Sequence, residues 1–369
     1  MTASGSDDLR VLLVVQQLRR SVPGGIGTYA EGILAGLSTL GAGRLAGPGL
    51  PGLGLYASRP PGREDPLERY GLPLHTSVLP GPALTRAWDR GLLRAPGGFD
   101  VIHAVSLAAP QVQAGSLVVV VHDLLWRTNP EAYPSRGRRW HEAALGRALR
   151  RARRLVVPSD EVATQLIGAG ADPGRVVTVA PGCDHLPPPD LRGAERLLHQ
   201  LGVPGDFLLS VGTLEPRKNL PRLLAAYAAV RTRLPGPLVV VGPTGWGSDL
   251  DLGHAEGVVP AGRVEAPILA ALYAKARLLA YVPLAEGFGL PPVEAMWAGI
   301  PVVASALPST GGAAFEVDPL DVDAIAAGLE TVAGDEELRD RLVRAGRDHT
   351  TGLTWEAAAR RHLDLWAAI

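Results

Sequence analysis

Four stretches of this chain carry residue types that can do chemistry. The first is "VPGGIGTYAEG" (residues 22–32), with Gly25-x-Gly27-x-x-Ala30. Such glycines let bare backbone N–H groups approach a phosphate at a helix start. The second is "VVVHDLLW", where His122 and Asp123 follow an apolar run. A histidine there can act as acid, base or hydrogen-bond partner, and a His–Asp pair is also common as a purely local hydrogen-bond motif. The third is "VGTLEPRKN", with Arg217 and Lys218 adjacent before a helical pattern. A planar fork beside a point charge suits an anion, although two solvated surface cations would read the same way. The fourth is "EGFGLPPVE", where Glu286 and Glu294 flank a tight glycine–proline turn. Both carboxylates can accept hydrogen bonds from sugar hydroxyls; the bland alternatives are an exposed loop residue and a charge at a helix N-terminus.

The glycine pattern resembles a dinucleotide fingerprint, but that motif follows its strand at once and has an acidic residue about 20 positions on. Here Leu18–Gly25 separate the strand end at Gln17 from Ile26, and the downstream stretch reads "LAGPGLPGLGL". Both requirements fail, so the expectation is a loop that serves a different phosphate. The cations also differ in weight. Lys218 and Lys275 are the only lysines, so an arginine in this arginine-biased chain says little and a lysine says more.

The elements that must position these residues alternate along the chain. "RVLLVVQQ", "FDVIHAV", "SLVVVVHD", "RLVVPS" and "VVTVAPG" read as strands; Thr28–Leu40, Arg136–Arg154 and "DEVATQLIGAG", capped by Ser159 or Asp160, read as helices. Gly41–Pro66 is Gly/Pro-rich and patternless, and a long loop is expected there. After the Pro-rich "HLPPPDLRGAE" the pattern restarts. "DFLLSVGT", "PLVVVGP", "ARLLAYVP" and "IPVVAS" read as strands, with helices expected over Asn219–Leu234 (Asn219 as cap), Pro267–Lys275, Pro292–Ala298, Asp321–Ala333, Asp335–His349 and Thr354–Ala368. Continuous apolar strands between helices imply parallel sheets covered on both faces. The expected fold class is α/β, two doubly wound Rossmann-like domains facing across a cleft, with ligands at the carboxyl ends of the strands. The expected boundaries are 1–186, a linker over 187–204, 205–350, and a helix over 351–369 that crosses back to the first domain.

Composition bounds the class. The 369 residues are 46% hydrophobic and 20% charged with a net charge of −1, which suits two globular domains and gives no sign of nucleic-acid binding. Cys183 is the only cysteine, so no internal disulfide is expected and a reducing compartment is the simpler reading. The first eight residues are polar and do not read as a signal peptide. No uncharged apolar run reaches the roughly 18–20 residues that span a bilayer.

Taken together, the motifs identify a family. "EGFGLPPVE" is similar to the E-x7-E motif of the retaining glycosyltransferases of family 4, which adopt the GT-B fold. "VGTLEPRKN" resembles their phosphate-binding loop, most closely in mannosyltransferase-like members that build polysaccharides. "VPGGIGTYAEGILAGL", "VVVHDLLW", "VVTVAPGCD" and "LTWEAAARRHLDLW" match further family segments in order, over nearly the whole chain. The resemblance implies that Arg217 and Lys218 hold the diphosphate of a nucleotide sugar and that Glu286 contacts its sugar. Backbone groups of Phe288, Gly289 and Leu290 would help bind phosphate or sugar, and Glu294 would accept from the ribose. Gly25 would approach the phosphate, His122 would line the acceptor side, and Val264 in "GRVEAP" would lie against the base.

The reaction implied is hexose transfer, with mannose from GDP-mannose favoured by family analogy, to a glycan, lipid-linked or natural-product hydroxyl. No cofactor and no metal are expected; "DLD" at Asp249–Asp251 fits a metal motif in spelling only. Two features depart from the pattern. Thr213 stands where relatives place an arginine, and "SALPSTGGAAFEVDP" (Ser305–Pro319) is shorter than the usual stretch. These leave open a non-catalytic binding protein on the same fold; a sugar epimerase of that fold is a further alternative. Eight arginines crowd Arg136–Arg154. A solvated helix is the simpler reading, and peripheral docking on an anionic membrane surface is the other. The expected location is cytoplasmic.

Overall fold

The structure is a computed structural model that describes residues 9–20, 23–43, 45, 47, 49–60, 62, 64–203, 205–243 and 255–369. Asp249–Asp251 lie outside the described residues. The chain packs as two compact units, Met1–Gly182 with Thr354–Ile369, and Cys183–Leu353.

The first unit holds a seven-stranded sheet built from β1 (Arg10–Val14), β2 (Gly52–Ala57), β3 (Leu74–Thr76), β4 (Val101–Ala104), β5 (Ser116–Val120), β6 (Arg154–Val157) and β7 (Val176–Thr178). Its order is β3-β2-β1-β4-β5-β6-β7, and every pairing is parallel. Side chains alternate across a strand. From β1, Val11 and Leu13 enter one apolar layer with Ile33, Leu37 and Trp366, while Leu12 and Val14 enter another with Trp88 and Leu145. Both faces of the sheet are therefore covered, which is why its strands read as continuous apolar runs.

The second unit repeats the plan with β8 (Leu208–Val211), β9 (Leu238–Val241), β10 (Val258–Gly262), β11 (Leu278–Tyr281), β12 (Val302–Ala304) and β13 (Phe315–Glu316), ordered β10-β9-β8-β11-β12-β13. The strand order reverses beside β1 in the first unit and beside β8 in the second. These are the switch points at which open α/β sheets bind ligands.

Three expectations need correction. The Gly41–Pro66 region contains β2, paired along its length with β1. Gly54 sits in β2 because a Cβ there would lie 2.9 Å from the Phe99 ring. Packing, not turn formation, explains that glycine. The 187–204 segment is no linker. It holds the helix Leu191–Gln200, capped by the Asp190 side chain on the Gly193 N–H, with Ala194 and Leu198 buried in the second core. The division falls after Gly182 and after Leu353.

The closing helix, Trp355–Ala367, is part of the first unit and lies against the helix Gly24–Leu40. Gly32 and Gly36, one turn apart, permit the approach. A Cβ at Gly32 would stand 2.1 Å from the Trp355 ring, and one at Gly36 2.0 Å from the Trp355 carbonyl oxygen.

The basic stretch forms the helix Ser135–Arg151, anchored by buried Ala144, Leu145 and Ala148. Arg147 pairs with Asp89, and Arg136, Arg139, Arg150, Arg151 and Arg153 are exposed. Among the described residues no helix is long and apolar enough to cross a membrane.

Candidate active site

In the second unit, β8 and β11 are neighbours in the sheet, and each ends in a loop that carries charge. The loop after β8 turns through the short 3-10 segment Pro216–Lys218 and reaches Asn219, whose backbone is left-handed (φ 57°). The loop after β11 carries Glu286 to the helix Leu290–Ala298.

These loops meet through one carboxylate. Glu286 Oε1 accepts from Lys218 Nζ at 2.6 Å and from Tyr281 Oη at 2.8 Å, and its Oε2 lies 2.5 Å from an Arg217 guanidinium nitrogen. Lys218 Nζ also donates to Tyr281 Oη at 2.7 Å, and Arg217 reaches Glu215 at 2.5 Å. Burial alone would raise the Glu286 pKa; the Lys218 and Arg217 charges outweigh burial and hold it at about 2. Burial pushes the Tyr281 hydroxyl well above its ordinary value, with Glu286 adding to the rise. Two cations and two carboxylates therefore balance in a compact, preorganised cluster.

Asn219 pins the loops together. It is buried, and its amide nitrogen donates to the carbonyls of Val282 at 3.0 Å and Pro319 at 2.7 Å. The expected capping role is not what it does: its side chain makes no cap bond to the helix Leu220–Val230. The Arg217 carbonyl accepts from the Leu284 N–H at 2.9 Å, a second tie between the loops.

Glu294 is not a solvated helix-end charge. The helix begins at Leu290, so Glu294 occupies its second turn and is buried. Oε2 accepts from Tyr273 Oη at 2.7 Å, and Oε1 lies 3.1 Å from His185 Nε2. The turn before it needs glycine: Gly289 has φ 95°, and a Cβ there would stand 2.9 Å from Ser309 Oγ. Phe288 is buried, and its carbonyl accepts from the Ser309 N–H at 3.2 Å.

The short Ser305–Pro319 segment is thus tied in place, with Ser305 Oγ donating to the Pro283 carbonyl at 2.7 Å and the Ser309 carbonyl bonded to His349 at 2.8 Å. Val264, between β10 and the helix Ala266–Lys275, is half-buried against the core that includes Tyr281 and Met296.

Gly25 and His122 belong to the first unit. The expected glycine loop is already helix: Gly24–Leu40 begins at Gly24, so Gly25 and Gly27 fill its first turn. Gly27 is required by Pro23, whose Cβ would lie 2.2 Å from an added Cβ, whereas nothing lies within 4 Å of one at Gly25. The first amides of a helix have no intrahelical acceptor.

His122 is half-buried at the end of β5, where its Nε2 is 2.8 Å from the Val105 carbonyl. That oxygen only accepts, so Nε2 carries the proton. Burial lowers the ring's pKa and keeps it neutral, although the Val105 bond opposes this. His122 lines a cavity of about 960 Å³ that lies wholly within the first unit.

Sequence reasoning missed Tyr281, Tyr273, His185 and Glu215. Tyr281 could have been found: it is the polar-tipped last residue of an otherwise aliphatic strand, five positions before Glu286.

Two doubly wound parallel sheets of this order define the GT-B class of transferase folds. Two solved structures share it across the chain. Anabaena Alr3699/HepE, in complex with UDP and glucose, matches with TM-score 0.72 at 19% identity, covering 98% of this chain and 100% of that one. Sucrose-phosphate synthase from Thermosynechococcus elongatus matches with TM-score 0.74 at 19% identity, covering 98% of each.

Residues 199–349 match the family described as Glycosyl transferases group 1, and residues 23–185 match Glycosyltransferase Family 4. The O-antigen chain mannosyltransferase B of Escherichia coli is 34% identical over 65% of this chain and 67% of its own length. The D-inositol 3-phosphate glycosyltransferase of Saccharomonospora viridis is 31% identical over 83% of this chain and 78% of its own. The chain belongs to the family 4 glycosyltransferases and resembles their mannosyltransferase-like group.

Proposed function

We propose that the protein transfers a hexose from a nucleoside-diphosphate sugar to a hydroxyl of a glycan, lipid-linked or natural-product acceptor, with retention at the anomeric carbon and without a metal. Mannose from GDP-mannose is the favoured donor, supported by the resemblance to mannosyltransferases. The observation that carries the reading is the Arg217–Lys218–Glu286 cluster at the switch point of the second sheet.

In this reaction the bond from the anomeric carbon to the diphosphate oxygen breaks, and its electron pair leaves with the diphosphate. The acceptor oxygen bonds to the same carbon from the same face, and its proton passes to the departing phosphate. Arg217 and Lys218 stabilise the charge that grows on the diphosphate, the kind of preorganised contact worth about 3–4 kcal/mol in a transition state. They are held close enough to serve without a metal because Glu286 and Tyr281 fix them before the donor arrives.

Glu286, ionised throughout the physiological range, accepts from hydroxyls of the donor sugar. Glu294 accepts from the ribose, in the orientation set by Tyr273 and His185. Backbone groups of Phe288, Gly289 and Leu290 add N–H donors to phosphate or sugar, and those of Val264 meet the base. Gly25 brings amides of the first turn of its helix to the phosphate, and neutral His122 lines the acceptor side.

Calorimetric titration with GDP, UDP, ADP and NAD⁺ tests this, using wild type and Glu294→Ala. Selective binding of one nucleoside diphosphate, weakened in the variant, supports the assignment and names the donor base. Tight NAD⁺ binding with indifference to the diphosphates overturns it. Nucleotide binding with neither sugar transfer nor donor hydrolysis would favour a binding protein on the same fold.

A further inference from the structure

The cavity beside His122 has an uneven charge. Its lining includes five arginines and two aspartates, and several of these already have partners. Arg19 is buried and engaged by Asp65. Asp89 is engaged by Arg147 and by the Trp140 indole N–H at 2.8 Å, and Asp123 accepts from the Leu125 N–H at 3.0 Å.

Arg20, Arg59, Arg86 and Arg136 have no side-chain hydrogen bond or ion pair among the described residues, and all four are exposed at the cavity. In a chain of net charge −1, four unpaired guanidiniums around one cavity form a local excess of positive charge. Like charges that line one site repel, and an anion there relieves the repulsion. Guanidinium forks match carboxylate and phosphate oxygens.

Part of the remaining wall is aromatic, beside aliphatic, proline and small polar side chains. The Trp126 ring stacks on His141 at 4.7 Å, and Trp140 meets the same ring edge-on at 4.9 Å. Apolar aromatic faces with a few polar groups are the usual make-up of a small-molecule pocket, and about 960 Å³ is at the large end of such sites.

We propose that this cavity takes an acceptor that bears an anionic group, a phosphate or a carboxylate, on or next to the sugar that receives the hexose. Arg20, Arg59, Arg86 and Arg136 are its contacts. The inference rests on the glycosyltransferase reading, because it names the acceptor class of that reaction. A neutral sugar would leave the four guanidiniums unanswered.

The test is residue-resolved labelling of arginines in the whole protein with phenylglyoxal, read by peptide mass spectrometry. The probes are mannose 1-phosphate, glucuronate, geranyl diphosphate and neutral methyl mannoside. The three anions are expected to slow labelling of Arg59 and Arg86 at least fivefold, and methyl mannoside to leave it unchanged. Greater protection by geranyl diphosphate points to a lipid-linked acceptor, by mannose 1-phosphate to a soluble sugar phosphate, and by glucuronate to a uronic acid.

Equal labelling with all four probes, or equal protection by the neutral sugar, overturns the proposal. A second arm compares Arg59→Gln/Arg86→Gln with wild type by calorimetry. The best anionic probe should bind at least tenfold more weakly to the variant, and an unchanged affinity also overturns the proposal. Nucleoside diphosphates are titrated alongside. If wild type binds none, the glycosyltransferase reading fails; if it binds one and the anionic probes show no effect, only this inference fails.

Discussion

Tyr29 and His362 stand 333 residues apart in sequence and 2.7 Å apart in space, hydroxyl to imidazole nitrogen. The direction of that bond is fixed. His362 Nδ1 lies 2.7 Å from the Ala358 carbonyl, which only accepts, so Nδ1 carries the proton and Nε2 accepts from the Tyr29 hydroxyl. The Tyr29 ring meets the His122 ring edge-on with centroids 5.0 Å apart. The closing helix therefore helps hold His122 at the cavity.

His362→Phe removes the acceptor and leaves the Tyr29 hydroxyl buried without a partner. About 1–3 kcal/mol of stability should be lost at pH 7, read by chemical denaturation. Burial lowers the His362 pKa from 6.5 to about 4, so the unfolded chain takes up a proton more readily than the folded one. The contribution of this group is present above pH 6.5 and is lost as pH falls from there through 4. His103 and Trp366 face the same ring, and burial also lowers the His103 pKa, which His362 reinforces. The variant should show a shallower acid decline than wild type; parallel profiles would refute the assignment.

Glu286→Gln separates binding from transfer. The substitution removes the negative charge that neutralises Arg217 and Lys218, while an amide can still hydrogen-bond to sugar. Affinity for a nucleoside diphosphate should be retained, or rise by up to about tenfold, because the cations lose their internal partner. Sugar transfer should fall by at least about a hundredfold. A parallel loss of both would show that the cluster holds the fold rather than the donor.

Because Glu286 titrates at about 2, the acid limb of the transfer rate should not belong to it. Its ionised form is complete above the ordinary value of 4.5 and is lost only as pH falls through about 2. A kcat/KM profile recorded between pH 5 and 9 should be free of any inflection that Glu286→Gln removes.

Asn219→Ala should destabilise the second unit by about 2–4 kcal/mol, since a buried and a half-buried carbonyl lose their donor and a left-handed backbone is asked of alanine. Asn219→Gly relieves the backbone alone and should recover roughly 1 kcal/mol of that loss. Equal losses in the two variants would place the whole effect in the hydrogen bonds.

Two glycines of one helix should behave in opposite ways. Gly36→Ala drives a Cβ against the Trp355 carbonyl, and a loss of about 1–3 kcal/mol is expected. Gly25→Ala meets nothing within 4 Å and should leave the melting temperature near wild type. If its amides approach a phosphate, transfer falls while the fold stands; unchanged transfer would remove Gly25 from the site.

The sequence made the inner strands legible because β1, β4, β5, β8, β9 and β11 are covered on both faces and read as mostly apolar runs. It hid β2, where Gly52 and Gly54 leave two of its six positions without side chains. It also hid β10, an edge strand in which only Val258 is buried and which contains Pro260. Pairing with a neighbour, rather than local preference, makes both of them strands. At the site, Arg217, Lys218 and Glu286 were legible as charges. That they neutralise one another was not, because the contact depends on two loops brought together by the β8–β11 pairing. Asn219 and Glu294 were read as helix-end residues because their spacing allows it; their partners, Val282, Pro319, Tyr273 and His185, come from elsewhere in the chain.

The helix Trp355–Ala367 has a consequence for synthesis. It completes the core of the first unit, supplying Trp355, Ala358, Ala359, Leu365 and Trp366 to it. On the ribosome, every residue of Cys183–Leu353 emerges before that helix does. The half of the protein made first must wait, its hydrophobic face uncovered, while the half made second is already whole. The order of birth and the order of completion are reversed, and a chain that stops short of residue 355 would leave its oldest part unfinished.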